Sequence, residues 1–307
     1  MNLAIDFNEL KASNQLPSPK GVMLNVVRLC QRDNMSLPEL ARQIQSDPVL
    51  AGRIIKIANV LNPIRTRQIA AVTTDVLILV GIHSVRQIAL GISLVTSYQS
   101  GACKAFNYDR FWSRSVAMAC AAQALAERIR IAPVAEMFTC GLLAGIGKLC
   151  LATARSEAYS ALLEQFEGKT DSALALAELP LFRVTHASMT AMMMSDWSIP
   201  RLFCDAVLFH RTPELSGFDI GGRQYRITML LNVAAGIADM CVSSDEERER
   251  MLPLIVAAAA ALGLQSEQIS AVLEDTSAEW CESGDVLQVK TRRLPGLSLL
   301  PVPAAPD

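Results

Sequence analysis

The sequence predicts an all-α protein: a multi-helix bundle with a helical C-terminal extension. Three observations carry this reading. Apolar residues recur at helical spacing, as at Leu50, Ile54, Ile57 and Leu61, which share one face. Helix-start signals recur along the chain. No segment of any length alternates with the period of two that a half-buried strand requires, and 286–289 is at most an isolated short strand.

The elements follow in order. Residues 1–14 read as an N-terminal tail. Ser36-Leu37-Pro38-Glu39 reads as a capping box, in which hydroxyl and carboxylate each satisfy an orphan backbone N–H. Asp47-Pro48 opens the next helix, with Asp as N-cap and Pro in the first turn, where its missing N–H costs nothing. Thr74-Asp75 is expected to cap a short apolar helix ending near Gly81. Ser84 is expected to cap the following one, which carries Val85, Ile88, Ala89, Ile92 and Val95 on one face. A long Ala-rich helix runs from about 109 to 131, and small side chains there let neighbours approach closely. Pro133 restarts the chain. Further helices are expected near 156–166, 172–179, 185–197, 201–210 and 225–239. The charged run 245–250 reads as a solvated helix start, followed by helices at 254–262 and 266–280 with a stop at Gly263. Residues 292–307, with Pro295, Pro301, Pro303 and Pro306, read as a loose Pro-rich tail.

Composition narrows the function classes. The chain has 307 residues, 51% hydrophobic and 19% charged, so it can bury enough apolar surface to offset chain entropy and is not disordered. Its length suits one large domain or two smaller ones. A net charge of −2 gives no overall field for nucleic acid, and none is expected as a partner. Three His leave few groups for zinc ligation or proton transfer near neutrality. The apolar runs 76–82 and 254–264 fall short of the roughly 20 residues of a membrane span. They read as core helices, and no membrane insertion is expected. Asp6 and Glu9 sit where a signal peptide would carry a basic and then an apolar region. The eight Cys are dispersed with no CxxC, which reads as free thiols in a reducing cytoplasm.

Four stretches carry a resemblance. They are Leu16-Pro17-Ser18-Pro19, the segment SDPVLAGRIIKIAN at 46–59, the turn VGIHSVRQ at 80–87, and FWSRS at 111–115 followed by FTCGLLAGIGKL at 138–149. In this order the chain resembles the HDOD family, a helical signalling-output family related to HD-type phosphohydrolases. The resemblance covers roughly residues 15–215. Asp47, Pro48, Asn59, Gly81, Trp112 and Gly141 are its motif residues. It implies a domain over 15–215, with a helical bundle at 15–100 and an HD-like part at 101–215. The boundary falls near Ser100-Gly101, and a helical extension follows over 216–291.

HD hydrolases hold one or two metal ions with His and Asp to polarise phosphate and supply hydroxide. By the resemblance, the first His of that pattern falls near Arg114, the His-Asp pair at Ala144-Gly145 and the last Asp near Asn232. Ala144 and Gly145 carry no donor atom, and Arg114 repels a cation. The expectation is a chain with no metal, no cofactor and no phosphohydrolase activity.

His186 and His210 resemble His positions kept in some two-metal relatives, which implies a remnant metal or phosphate pocket together with Arg114 and Lys148. The plainer reading is that His186 helps cap its helix and His210 bonds a backbone carbonyl. With no neighbouring carboxylate motif, the plainer reading is preferred. His83 has no partner suggested by sequence.

Other chemistries fit less well. Gly141 to Lys148 is rich in glycine but departs from GxxxxGK[ST], because Leu149 follows Lys148 and no strand precedes it. A close helix crossing explains it better. No GxSxG elbow is present, and no Cys has an obvious base. Met189, Met192, Met193 and Met194 read as core filling before a partner groove. Arg53, Lys56, Arg65 and Arg67 form either a local positive patch or solvated helix and loop ends.

The function read from this is a non-enzymatic signalling or regulatory module that binds a signalling protein. The resemblance implies bacterial networks of cyclic-dinucleotide, motility or surface-attachment control. The first alternative is a sensor that binds a nucleotide second messenger in the vestigial pocket. The second is a surviving metal-dependent phosphodiesterase.

Overall fold

The structure, a computed structural model, describes residues 3–32, 34–62 and 68–294. Arg65, Arg67 and the Pro-rich stretch from Pro295 lie outside them. Sixteen α-helices and no strand occur among the described residues.

The N-terminal part holds six. The first, α1 (Phe7–Ala12), corrects the expected tail. Asp6 Oδ1 caps it by accepting from the Asn8 and Glu9 N–H groups, and Leu10 is buried. There follow α2 (Gly21–Leu29), α3 (Leu37–Gln45), α4 (Pro48–Leu61), α5 (Thr74–Val80) and α6 (Ile82–Ser97). Asp47 caps α4 as expected, accepting from the Val49 and Leu50 N–H groups. Asn59 closes the loop after it: Nδ2 donates to the Ile69 carbonyl at 2.9 Å and Oδ1 accepts from the Ile69 N–H at 2.8 Å. Ser36 caps α3 from one side only. Thr73, one residue earlier than expected, caps α5. Gly81, at φ 86, lets α5 and α6 meet at 88°. That conformation suits glycine. Ser84 is no cap; it lies inside α6 and donates to Glu136.

The remaining helices are α7 (Tyr108–Ile129), α8 (Val134–Leu143), α9 (Ile146–Ala154), α10 (Ser156–Gln165), α11 (Asp171–Phe182), α12 (His186–Asp196), α13 (Arg201–Phe209), α14 (Arg223–Cys241), α15 (Asp245–Ala261) and α16 (Ser266–Leu287). A short 3₁₀ turn, Pro213–Leu215, precedes α14. The two helices expected after residue 240 are longer than foreseen. The run 245–250 and the run 254–262 belong to one helix, α15, whose capping box is Ser244 and Glu247. Residues 286 and 287 end α16, which removes the isolated strand. Beyond it, Arg292 donates to the Ser243 carbonyl, so the start of the expected tail is anchored.

α7 is the axis of the fold. It packs against α8, α14 and α16, and its small residues, Ala117, Ala119, Ala121 and Ala122 among them, are fully buried. Close packing explains the glycine-rich segment. A Cβ on Gly141 would stand 2.5 Å from the Met118 carbonyl oxygen, and one on Gly147 would stand 2.0 Å from that of His186. The indoles lock the same junction: Trp112 Nε1 donates to Tyr98 O at 2.7 Å and Trp280 Nε1 to Ser113 O at 2.9 Å. Met189, Met193 and Met194 fill the core.

Among the described residues, a stretch that neither expected run covers is Val134–Ala154, α8 and α9 together. By length and hydropathy it suffices to cross a membrane, and 78% of it is buried inside the protein. All eight Cys are free thiols. Burial pushes those of Cys120 and Cys150 up to about 12.

Arg53 and Lys56 form neither a free positive patch nor a solvated face. Both pair with Glu279 of α16, Lys56 also with Glu282, and Arg53 lies 3.6 Å over the Phe138 ring. The helix α16 therefore docks on α4 through a largely buried ion pair and packs against α7.

Candidate functional site

Five charged side chains from separate parts of the chain meet at Arg114, the position the resemblance gives to the first His of the HD pattern. α7 supplies Arg114, α9 Lys148, the first turn of α11 Asp171, the residue pair after α13 Arg211, and α14 Asp239. They form a chain. Lys148 Nζ bonds Asp171 Oδ1 at 2.5 Å, and Arg211 Nε lies 3.3 Å from Asp171 Oδ2. Arg211 Nη1 reaches Asp239 Oδ2 at 2.7 Å, and Arg114 Nε donates to Asp239 Oδ1 at 2.5 Å.

Burial alone would raise both carboxylate pKa values, but the cations outweigh it. Lys148 and Arg211 hold Asp171 far below the usual carboxylate range, and Arg114 and Arg211 lower Asp239 to about 2. Burial would lower the Arg211 pKa, yet Asp239 raises it above its ordinary value. The cluster is thus an ion-pair lattice of three cations and two anions.

The sequence reading named Arg114 and Lys148 but missed Asp171, Arg211 and Asp239. None sits in a motif, and Arg114 and Asp239 are 125 residues apart. Asn232, at the position of the pattern's last Asp, donates to the His210 carbonyl at 2.7 Å, while the lattice takes its α14 carboxylate from Asp239, two helical turns later.

The space beside Ala144-Gly145 is taken. Thr190 Oγ1 accepts from the Gly147 N–H at 2.9 Å and lies 3.4 Å from Ala144 O, while a Cβ at Gly145 would meet the Phe111 ring at 3.1 Å.

His186 departs from the expected cap. Thr185 caps α12, and His186 is its first residue, with Nδ1 at 2.9 and 2.8 Å from the two Glu178 oxygens. A neighbouring carboxylate therefore exists, eight residues upstream, hidden because α11 runs through Pro180 to Phe182. Glu178 is fully buried and also accepts from the His186 N–H and the Tyr159 hydroxyl. Burial, and then the Glu178 charge, push the Tyr159 pKa well up. His210 bonds the Val207 carbonyl through Nδ1 at 2.6 Å, as its plainer reading expects. Burial, then Arg211, lowers its pKa to about 3, so it is a neutral imidazole near pH 7. His83 has a partner after all in Gln87, one turn on, at 2.7 Å.

The residues present do not fit a metal ion. Each carboxylate is already shared between two cations, positions 144 and 145 offer no donor, and no three His, Cys, Asp or Glu stand together among the described residues. A divalent ion would have to displace two guanidinium groups and an ammonium.

Comparison with known proteins agrees with this fold. Residues 16–213 match the HDOD domain, and the chain belongs to the HDOD family of signal-transduction proteins. It is 34% identical to the MmoQ response regulator of Methylococcus capsulatus str. Bath, covering 84% of this chain and 97% of that one, with a TM-score of 0.54. An HDOD domain protein of unknown function from Geobacter sulfurreducens shares the fold at 19% identity, over 91% and 96% of the two chains, with a TM-score of 0.60. No curated protein matches the chain.

Proposed function

We propose that this HDOD protein is a non-enzymatic signalling module that acts by binding another protein in a reducing cytoplasm. The observation that carries the non-enzymatic part is the lattice from Lys148 to Arg114, in which every carboxylate is already bound by cations. Hydrolysis of a phosphodiester needs a polarising centre and an activated water. Here His210 is buried against a backbone carbonyl, and Nδ1 of His186 is held by Glu178. The likeness to a response regulator supports signalling as the context. Purified protein supplied with manganese, iron or zinc is expected to hold no stoichiometric metal and to leave cyclic dinucleotides intact. Cross-linking in native extracts is expected to recover one specific protein. Turnover of any phosphodiester, or the absence of a specific partner, overturns the reading.

One observation favours a second reading, phosphate binding without hydrolysis. The lattice has one cation in excess, and Arg114 Nη2 is buried without an acceptor. Calorimetry with cyclic dinucleotides tests it. Micromolar binding abolished by Arg114→Ala would favour this reading over the first.

A further inference from the structure

A groove of about 430 Å³ opens where α7 begins, α14 ends and the chain leaves α16. The first turn of α7 contributes Asp109 and Arg110, the residue after α14 is Val242, and the segment after α16 contributes Lys290 and Arg292. The groove shares no residue with the lattice. We infer that it binds a phosphate monoester, held by the guanidinium groups of Arg110 and Arg292. The inference does not rest on the protein-binding reading above.

The first argument is a surplus of charge. The neighbouring cations each have a carboxylate. Lys290 Nζ lies 2.5 Å from Asp109 Oδ2, and Arg248 Nη2 lies 3.0 Å from Asp245 Oδ1. Arg110 and Arg292 have backbone partners instead. Arg110 Nη1 donates to the Val242 carbonyl at 2.5 Å, and Arg292 Nη2 donates to the next carbonyl, that of Ser243. Asp245 Oδ1 is 3.9 Å from Arg292 and already taken by Arg248. Glu247 is committed to the α15 capping box, accepting from the Ser244 N–H at 3.0 Å.

A carbonyl satisfies an N–H but leaves the guanidinium charge in place. The C-terminus of α14 brings only about half a negative charge, and the N-terminus of α7, at the same groove, brings about half a positive one. Two positive charges are therefore left over. This sets the groove apart from Arg53 and Lys56, which Glu279 answers. Both arginines are within reach of a ligand, because Arg110 is exposed and 47% of the Arg292 side chain is exposed.

The second argument is the chemistry of the match. A surplus of two suits a dianion. A phosphate monoester carries about −1.5 to −2 near pH 7, where a carboxylate carries only one charge. Each guanidinium offers a planar fork of N–H donors shaped for phosphate oxygens. Here each has bonded a carbonyl through one terminal nitrogen, Nη1 of Arg110 and Nη2 of Arg292, which leaves further donors for a ligand. The volume also exceeds that of the phosphate group alone. Small-molecule sites begin at about 300 Å³, so the groove takes the esterified body as well.

Calorimetry on the full chain, in low-salt buffer free of phosphate, tests the inference. AMP and a phosphoserine tripeptide represent two sources of monoester, and benzoate is the monoanionic control. Saturable millimolar or tighter binding of at least one monoester is expected, with benzoate weaker by about tenfold or more. Arg110→Gln and Arg292→Gln are each expected to weaken that binding by about tenfold, and either variant decides the matter should the other fail to fold. Absence of binding by both monoesters, equal binding of benzoate, or unchanged affinity in a folded variant overturns the inference. So does loss of binding in Arg114→Ala with Arg292→Gln unaffected, which would put the phosphate at the lattice.

Discussion

Arg114, at the position the resemblance gives to the pattern's first His, donates from Nε to Oδ1 of Asp239 at 2.5 Å and so joins α7 to α14. Asp239 also holds Arg211, so removing its charge leaves two guanidinium groups partly buried and unmatched. Asp239→Asn is expected to cost about 1–3 kcal/mol. That is less than the roughly 3–5 kcal/mol for breaking a fully buried pair, because these side chains keep some water contact. Urea unfolding measures it. A loss within error of zero would show the lattice to be ornamental to folding.

His210 makes stability depend on pH. Its imidazole pKa falls from 6.5 to about 3 on folding, so the unfolded chain takes up a proton below pH 6.5 that the folded chain refuses. The stability from the neutral ring is complete above pH 6.5 and is lost as the pH falls toward 3. Asp171 and Asp239, with lowered pKa values, add a second loss that begins only below their ordinary value of 3.8. His210→Gln should flatten the urea midpoint between pH 6.5 and 4 and leave the steeper fall below it. Parallel curves for the two proteins would contradict a buried neutral ring.

One substitution should have opposite signs at two glycines. Gly141→Ala forces a methyl group against the Met118 backbone and is expected to cost about 1–3 kcal/mol or more. Gly52→Ala meets nothing and is expected to gain about 0.5–1 kcal/mol from helix propensity. Thermal midpoints of the two variants, read side by side, test both crowding and open space.

Glu178 ties α10, α11 and α12 together through Tyr159 and His186. Glu178→Ala leaves an imidazole, a hydroxyl and a backbone N–H buried without their acceptor, and is expected to cost at least about 2 kcal/mol. Tyr159→Phe removes one of these bonds and should cost about 0.5–1.5 kcal/mol. Comparable losses would mean that His186 gains nothing from the carboxylate.

Much of the fold was legible because helix starts are local. Asp47, Ser36 and the 3–4 spacing of α4 act within a single turn or two, and sequence carries them directly. Loss of donors at Ala144 and Gly145 was legible for the same reason. What replaced them was not. Asp171, Arg211 and Asp239 are ordinary surface-type residues until three helices bring them together, and no spacing announces a contact across 125 residues. Likewise Arg53 and Lys56 looked like solvated cations because their shared partner Glu279 lies 226 residues beyond Arg53. Glu178 escaped notice because Pro180 suggests an earlier helix end than the one α11 adopts.

That separation of 226 residues has a consequence for synthesis. A ribosome adding about 5–20 residues per second exposes Arg53 on the order of ten to forty seconds before Glu279 emerges. Phe138, on whose ring the guanidinium lies in the folded chain, also follows Arg53 but is made well before Glu279, the main counter-ion. The segment matching the family, 16–213, ends before that counter-ion. A nascent chain therefore carries Arg53 and Phe138 before the carboxylate that pairs with the guanidinium exists, and synthesis of α16 supplies it.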